Sequence, residues 1–590
     1  MGDFKKKIKH KLSISTYQRP LVFVILTMAL INIAVLIVAA IIALIIDDTF
    51  ANFIQAFVFG SVTWMLTPNA ILGIDNPATL LLAVIVLIIG LVLFSGTIIA
   101  LTTNAIKEYF EKKKGSKGHI NLTDHILILN YNNKVPELIA DLVHVKTKTV
   151  TILILAHVQK EMVENKILDA LKKTKPLKTI KHVNVLVKEG DPLSQKDLLD
   201  CSIQAAQTIL VMSHPQLNKG KDLNVIKILL SLSRFTYTFY PPIVIEIKHY
   251  DTKEKIYALK ATLTNLTHHH LIPICFDKRL GQIIAQTLIQ KEMEDVYLSL
   301  FSFDGSEVYH LEASFEACLN DHTHAIPIAK TDQGLFVISD DNHSKTLKRP
   351  LKYQPTSIEF NPINEQVNKT ILVMGNNAKK PFIEESFKAY ETLHHSTFNA
   401  TFFDTYDDYA MYVKTTQEPY TLLILSDESV EDDQVDANIF DALLRLETLK
   451  ENKPSHVIVE LLDPKNDALV KEFQIENTII SNKIISLLLS KLALFKETEA
   501  FYEELLTIDI DASGKDKQAV TIQPVNQLIK AFKPMTFPSI KALCKTVYEH
   551  YQDLIPIGVI QDGNVFVFKG DFSAQPCKLY ENDQIILMKI

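Results

Sequence analysis

The chain has few of the residues on which common site chemistries depend. Its five cysteines, Cys201, Cys275, Cys318, Cys544 and Cys577, stand singly and form no C-x-x-C pair. That argues against a zinc site or a disulfide framework and fits a reducing compartment. No Walker loop, H-E-x-x-H or G-x-S-x-G occurs, so no hydrolase is indicated and the chain is expected not to be an enzyme. Positive charge is not in excess: the formal net charge is −7, which gives no reason to expect a nucleic-acid partner. With 47% hydrophobic and 22% charged residues the composition is globular. A length of 590 residues predicts roughly three to four domains of about 150 residues each.

Two uncharged apolar runs stand near the start, residues 21–46 and 80–101. Each exceeds the roughly 20 residues that cross about 30 Å of hydrocarbon. The first is also longer than a signal peptide's apolar region of about 7–15 residues. Lys5, Lys6, Lys7, Lys9, Lys11 and Arg19 precede the first run, and Lys107, Lys112, Lys113, Lys114 and Lys117 follow the second. The segment between the runs holds no lysine or arginine but has Asp47, Asp48 and Asp75. The positive-inside rule then predicts a multi-pass protein of the cell membrane with both termini cytoplasmic.

That intervening segment is too apolar for an ordinary loop, with Phe50, Phe53, Phe57, Phe59 and Trp64. Residues 49–76 read as a re-entrant pore loop, a short helix over 49–59 followed by non-helical backbone over 60–69. Such backbone is tolerated at membrane depth where it is buried in protein or lines water. Thr63, Leu66, Thr67, Pro68 and Asn69 are the pore candidates; a folded cap without ion contacts is the alternative. The potassium filter sequence TVGYG is absent and residues 61–69 hold no carboxylate, so the loop names no ion. Gly90 and Gly96 interrupt the second run, as gating hinges or as points of close packing.

The remainder alternates short apolar strands with helices, predicting a parallel doubly wound sheet. Strands are expected at 125–129, 149–155, 183–187, 208–212 and 243–247, with helices at 135–145 and 161–172. The pattern restarts near Thr370, with strands at 371–374, 400–403, 421–425, 457–459 and 478–480 and a helix at 381–392. Each copy has a strand ending in glutamate, Val244-Ile245-Glu246 and Ile458-Val459-Glu460. The tails also correspond: Ile326-Pro327-Ile328 before Gly334-Leu335-Phe336-Val337, and Ile555-Pro556-Ile557 before Gly563-Asn564-Val565-Phe566-Val567. Two copies of one unit are predicted, each an α/β domain with a small strand-rich lobe.

A dinucleotide site of the G-x-G-x-x-G type needs glycines where the backbone meets pyrophosphate. The first copy has Asn130-Tyr131-Asn132-Asn133-Lys134-Val135, with none; the second keeps only Gly375. His157 follows the second strand of the first copy, where a ribose-binding acid is expected; the second copy has Asp404. A sheet without nucleotide is the expectation, with Gly375, Asp404, Glu246 and Glu460 as ligand-binding candidates. His268-His269-His270 reads as a solvated turn, and Asp407-Asp408 and residues 428–436 as solvated acidic runs.

Two apolar runs, a pore-like loop, a basic connector and two nucleotide-fold repeats resemble a channel with RCK domains, the TrkA-N-like regulators of potassium conductance. The closer resemblance is to the CASTOR/POLLUX ion channel family, from about Asp124 onward. It is carried by Asp124-His125-Ile126-Leu127-Ile128-Leu129, Ala156 with Lys160-Glu161-Met162, Gly190-Asp191-Pro192-Leu193 with Asp197-Leu198, His456-Val457-Ile458-Val459-Glu460-Leu461, Asn466-Asp467-Ala468-Leu469-Val470 and Glu581-Asn582-Asp583-Gln584-Ile585-Ile586-Leu587. The family keeps glycines where this chain has Asn130 and Pro136; plant members have an acidic residue at Thr67 and glycine at Asn69. The resemblance implies an all-α two-helix transmembrane pore domain joined to an α/β region of two Rossmann-like RCK repeats, each with a small α+β lobe. Its parts are a basic N-terminus 1–20, a pore domain 21–106, a linker 107–120 and RCK-like domains 121–360 and 368–590. It implies a ligand-gated, homotetrameric cation channel in a lipid bilayer, with permeant cations as partners. No tightly bound cofactor is implied; the regulator would be a divalent cation such as calcium, or a nucleotide. The rival is a membrane-tethered, TrkA-like regulatory subunit that does not conduct.

Overall fold

Continuous apolar strands dominate the larger part of the chain, because a parallel sheet covered on both faces buries every side chain of its central strands. The computed structural model describes residues 20–91, 118–145, 149–174, 182–214, 220–349, 357–375, 377–415, 418–426, 436–449, 452–475, 477–509 and 519–590. It divides into two units, Met1–Gly118 and His119–Ile590.

In the first unit, a helix spans Pro20–Ile46, with side chains described from Leu30. A second helix, Pro77–Gly90, has 14 residues. Among the described residues no helix is long and apolar enough to cross a membrane. Gly96 and connector residues 107–117 lie outside the described residues. The two helix ends are stapled by Asp47, which accepts from the Thr79 hydroxyl at 2.8 Å, and by Asn76, whose side chain donates to the Ile46 carbonyl at 3.2 Å.

The segment between them corrects the expected boundary of the pore-loop helix. Helical backbone runs from Phe53 through a π-helical stretch, Ala56–Val62, to Leu66, so residues 60–66 are not irregular. Gly60 is accommodated because Phe50 and Trp64 pack against it, each 3.4 Å from where a Cβ would sit. Thr63 donates its hydroxyl to the Val58 carbonyl at 2.8 Å, within its own helix. The break comes at Thr67, extended at φ −128° and ψ 93°, as a residue before proline prefers. Pro68–Ile71 then forms a short 3₁₀ turn.

In the second unit, the first sheet comprises β1 (His125–Leu129), β2 (Val150–Ala156), β3 (Val183–Glu189), β4 (Ala206–Val211), β5 (Ile243–Ile247) and β6 (Leu271–Cys275). Their order is β3-β2-β1-β4-β5-β6, all parallel, the doubly wound Rossmann arrangement. A three-stranded antiparallel lobe follows: β7 (Glu307–Leu311), β8 (Ile326–Thr331) and β9 (Gly334–Ser339).

The second copy has β10 (Asn368–Met374), β11 (Thr397–Phe403), β12 (Thr421–Ile424), β13 (His456–Leu461) and β14 (Asn477–Ile480) in the order β11-β10-β12-β13-β14. It is the first sheet without its outermost strand. Its lobe holds β15 (Val520–Pro524), β16 (Met535–Phe537), β17 (Leu554–Gln561), β18 (Asn564–Val567), β19 (Cys577–Leu579) and β20 (Gln584–Lys589). The matching tails are matching structure: β8 and β17 each break register just past the proline of Ile-Pro-Ile, between Pro327 and Ala329 and between Pro556 and Gly558. Both are bulges that bend the strand at the same place.

The repeats are locked together by four helices in reciprocal pairs. The helix Phe276–Ile289 of the first packs on Lys380–His394 of the second, and Ser481–Leu494 of the second packs on Val135–Leu142 of the first. Gly281 and Ser486 hold the sixth position of their helices. A Cβ on Gly281 would lie 2.7 Å from Phe382 Cβ and 2.9 Å from the Lys379 carbonyl oxygen. Ser486 instead donates to the Lys134 carbonyl at 2.8 Å. Both helices therefore press on the carbonyl of the corresponding lysine of the facing loop, Lys379 and Lys134.

Candidate functional site

The loop after the first strand of each repeat starts with a residue in the left-handed region, Asn130 at φ +70° and Gly375 at φ +99°. Asparagine and glycine are the residues that adopt this conformation most readily. Asn130 is further held by donating to the Met212 carbonyl at 3.0 Å and to Asn224 Oδ1 at 2.9 Å. At Gly375 a Cβ would stand 3.0 Å from the Leu425 carbonyl oxygen, so the turn itself requires that glycine.

Beyond it, each loop carries asparagine and lysine two residues apart, aimed at the glutamate near the end of the next-to-last strand of its sheet, β5 in the first copy and β13 in the second. In the first repeat Lys134 Nζ lies 2.9 Å from Glu246 Oε1. Glu246 Oε2 accepts from Asn132 Nδ2 at 2.8 Å and from the Ser213 N–H at 3.0 Å. Asn132 Oδ1 in turn accepts the Lys134 N–H at 3.1 Å. In the second, Lys379 Nζ lies 3.0 Å from Glu460 Oε1, and Glu460 Oε2 accepts from Asn377 Nδ2 and from the Ser426 N–H, both at 3.2 Å. The Lys379 N–H reaches Asn377 Oδ1 at 3.0 Å.

One more carboxylate recurs. Asp222 accepts the N–H groups of Lys248 and His249, and Asp436 those of Leu462 and Asp463, fixing the turn after β5 and after β13. Burial opposes ionisation of Glu246, but Lys134, the Ser213 N–H and Asn132 outweigh it and hold its carboxyl below the usual range. In each copy side chains thus occupy the place where a Rossmann loop would receive pyrophosphate.

The two constellations diverge at the residue after the last parallel strand, β6 in the first copy and β14 in the second. In the second copy it is Ser481, whose hydroxyl donates to Glu460 Oε1 at 2.6 Å. In the first it is Phe276, whose ring lies under the Lys134 ammonium at 4.2 Å and 5.5 Å from that of Lys379. Lys379 and Glu460 are fully buried, whereas Lys134 keeps 13% exposure. It opens onto a cleft of about 890 Å³ between the repeats, lined by Asn132–Lys134 and Glu246 on one side and Asp436, Leu462–Asn466 and Asn482 on the other.

Of the sequence candidates, Glu246, Glu460 and Gly375 belong to these constellations. Asp404 is exposed just past β11 and takes no part in them. Lys134, Lys379, Asn132 and Asn377 were missed, although the recurrence of Asn-x-Lys after both first strands was a readable signal. The histidine run is a turn with His268 and His270 exposed, as expected, but His269 is buried edge-on against Tyr237 at 4.7 Å, and His270 meets Glu499 at 2.6 Å. Of the acidic runs, Asp436 is buried in the turn contacts above, and residues 428–435 lie outside the described residues. Leu66, Thr67, Pro68 and Asn69 are exposed in the first unit. Gly90 is a contact point for Met65, whose Cγ would be 2.4 Å from a Cβ there. Among the described residues no group of three or more histidine, cysteine or carboxylate side chains is placed to hold a metal ion.

No family model matches the chain. A probable ion channel, SYM8 of Pisum sativum, is 23% identical over 267 residues, covering 43% of this chain and 28% of that protein. The ion channel CASTOR of Lotus japonicus is 23% identical over 222 residues, covering 37% of this chain and 24% of that protein. The chain thus matches under a third of the length of these curated relatives. The human SLO3 gating ring shares the fold, with a TM-score of 0.50 at 13% identity, covering 79% of this chain and 99% of that one. With its tandem Rossmann-like repeat, the chain is a relative of the CASTOR/POLLUX ion channel family.

Proposed function

We propose that the chain is a ligand-gated cation channel in which the tandem repeat is the sensor. Four copies would bring their 21–46 and 80–101 runs around one axis, with residues 49–76 as the pore loop. Eight RCK-like domains would form a cytoplasmic ring acting on the pore through residues 107–120. The single observation that carries this reading is the sequence relation to named ion channels. The gating-ring fold and the two apolar runs flanking an aromatic segment support it. Pore contacts would come from Thr63, Leu66, Thr67, Pro68 and Asn69, with Gly90 and Gly96 in the inner helix. A ligand opens such a pore only by as much as it prefers the open ring, but the preference is multiplied over four subunits.

Planar-bilayer recording of the purified full chain tests this directly. Cation-selective single-channel currents are expected. Silence across potassium, sodium and calcium salts would favour a tethered regulatory subunit. Under bi-ionic conditions, a strong calcium preference would contradict a pore without a carboxylate ring at Thr67.

A further inference from the structure

The charges lining the inter-repeat cleft are unevenly committed. Its carboxylates are largely engaged within the protein. Glu246 holds Lys134, Asp436 takes two N–H groups and Asn466, Asp463 accepts the Lys465 N–H, and Asp169 meets Lys172 at 3.3 Å. Four of its lysines are not. The side chains of Lys166, Lys173, Lys221 and Lys465 line the cleft and make no ion pair or hydrogen bond among the described residues. Lys166 and Lys173 stand two turns apart on one face of the helix Lys160–Thr174. Lys221 opens the helix Lys221–Leu232, and Lys465 comes from the second repeat. Four lysines from the two repeats therefore line one space of about 890 Å³, within the size of small-molecule sites.

We propose that this cleft binds a compact anion carrying several phosphate groups, held between the repeats by Lys166, Lys173, Lys221 and Lys465. The Rossmann phosphate position is filled by Asn132, Lys134 and Glu246, so the anion is held by flexible ammonium groups and not by loop N–H groups. Because Lys465 belongs to the other repeat, binding draws the two cleft walls together. This names the ligand class of the sensor proposed above and rests on that reading only for the link to gating; the binding itself does not.

The test is a thermal-shift and calorimetric titration of the detergent-solubilised full chain with inorganic tripolyphosphate. Sodium sulfate at matched ionic strength is the control, with adenosine triphosphate in parallel. Tripolyphosphate should raise the melting temperature, and its affinity should fall steeply with added salt. The quadruple variant K166Q/K173Q/K221Q/K465Q should bind about 30-fold more weakly, the combined effect of four exposed charge contacts. K255Q, at an exposed lysine outside the cleft lining, should bind as the parent does. Tighter binding of adenosine triphosphate would assign the ligand to nucleotides, and equal binding to the phosphate chain; both support the site. No shift with tripolyphosphate, an equal shift with sulfate, or undiminished binding by a folded quadruple variant would overturn it. A silent bilayer with binding intact would refute the channel reading alone, and robust currents with no binding would refute this inference alone.

Discussion

Cutting one member of the Lys379–Glu460 pair should be among the most damaging single changes in the second repeat. Both side chains are fully buried, 3.0 Å apart, and Glu460 also accepts from Asn377, the Ser426 N–H and Ser481. Lys379→Met would leave a carboxylate with donors but no countercharge in a water-free site, a loss of about 3–5 kcal/mol. That is on the order of 10 °C in melting temperature for a body of this size. Glu460→Gln should cost a similar amount, since it strands the ammonium. The double variant K379M/E460Q removes both charges and should recover most of the loss, giving a coupling of about 3 kcal/mol. The sole tryptophan, Trp64, lies in the first unit, so tryptophan fluorescence does not report on this region. Far-UV circular dichroism of the full chain, with limited proteolysis to localise the opening, gives the measurement. If the two single losses simply add in the double variant, or each stays below about 1 kcal/mol, the pair is not the support described here.

Lys491 gives a pH-dependent prediction. It is buried over the Phe303 ring at 3.6 Å, and burial pushes its pKa down to about 8 although Glu307 and Asp141 act the other way. The unfolded chain therefore binds more protons between about pH 8 and 10.5, and stability from this group rises with pH across that window, by at most about 3 kcal/mol. The melting-temperature gap between Lys491→Met and the parent should favour the variant most at pH 7 and shrink by pH 10; a gap that does not change with pH would refute this. Gly281→Ala should force the helices Phe276–Ile289 and Lys380–His394 apart and cost about 1–3 kcal/mol, read as faster proteolysis between the repeats. Gly375→Ala and Gly375→Asn, at φ +99° and with a Cβ 3.0 Å from the Leu425 carbonyl oxygen, should each cost about 1–2 kcal/mol; an unchanged melting temperature in either variant would refute the requirement for glycine.

Much of the architecture was legible because central strands of a covered parallel sheet are continuous apolar runs, and β1 and β5 fell where that rule put them. β6 went unread because Leu271-Ile272-Pro273-Ile274-Cys275 contains a proline, which is tolerated there since β6 is the sheet edge. Gly60-Ser61 suggested irregular backbone, but packing by Phe50 and Trp64 overrode the weak local preference and the helix continued to Leu66. The glutamates of the site were visible through the repeat. Their pairing with Asn-x-Lys was not, although that motif itself recurs, because Asn132 and Glu246 are 114 residues apart and only the fold brings strand ends together.

The duplicated constellation explains why the glycine loop is gone without loss of the fold. A phosphate would have neutralised the N–H groups and dipole at this corner; here Glu246 and Glu460 supply the negative charge from within, and Lys134 and Lys379 neutralise it in turn. Around these glutamates the copies differ at the residue after the last strand of each sheet. Ser481 gives Glu460 an added donor and the pair is sealed. Phe276 gives Glu246 none, and Lys134 instead leans over its ring at the cleft edge, beside the uncommitted lysines. A sealed ion pair can only hold the repeat together, whereas a pair at a cleft edge can exchange partners when an anion arrives. Substitutions of the first pair should therefore alter the ligand response more than stability, and those of the second the reverse.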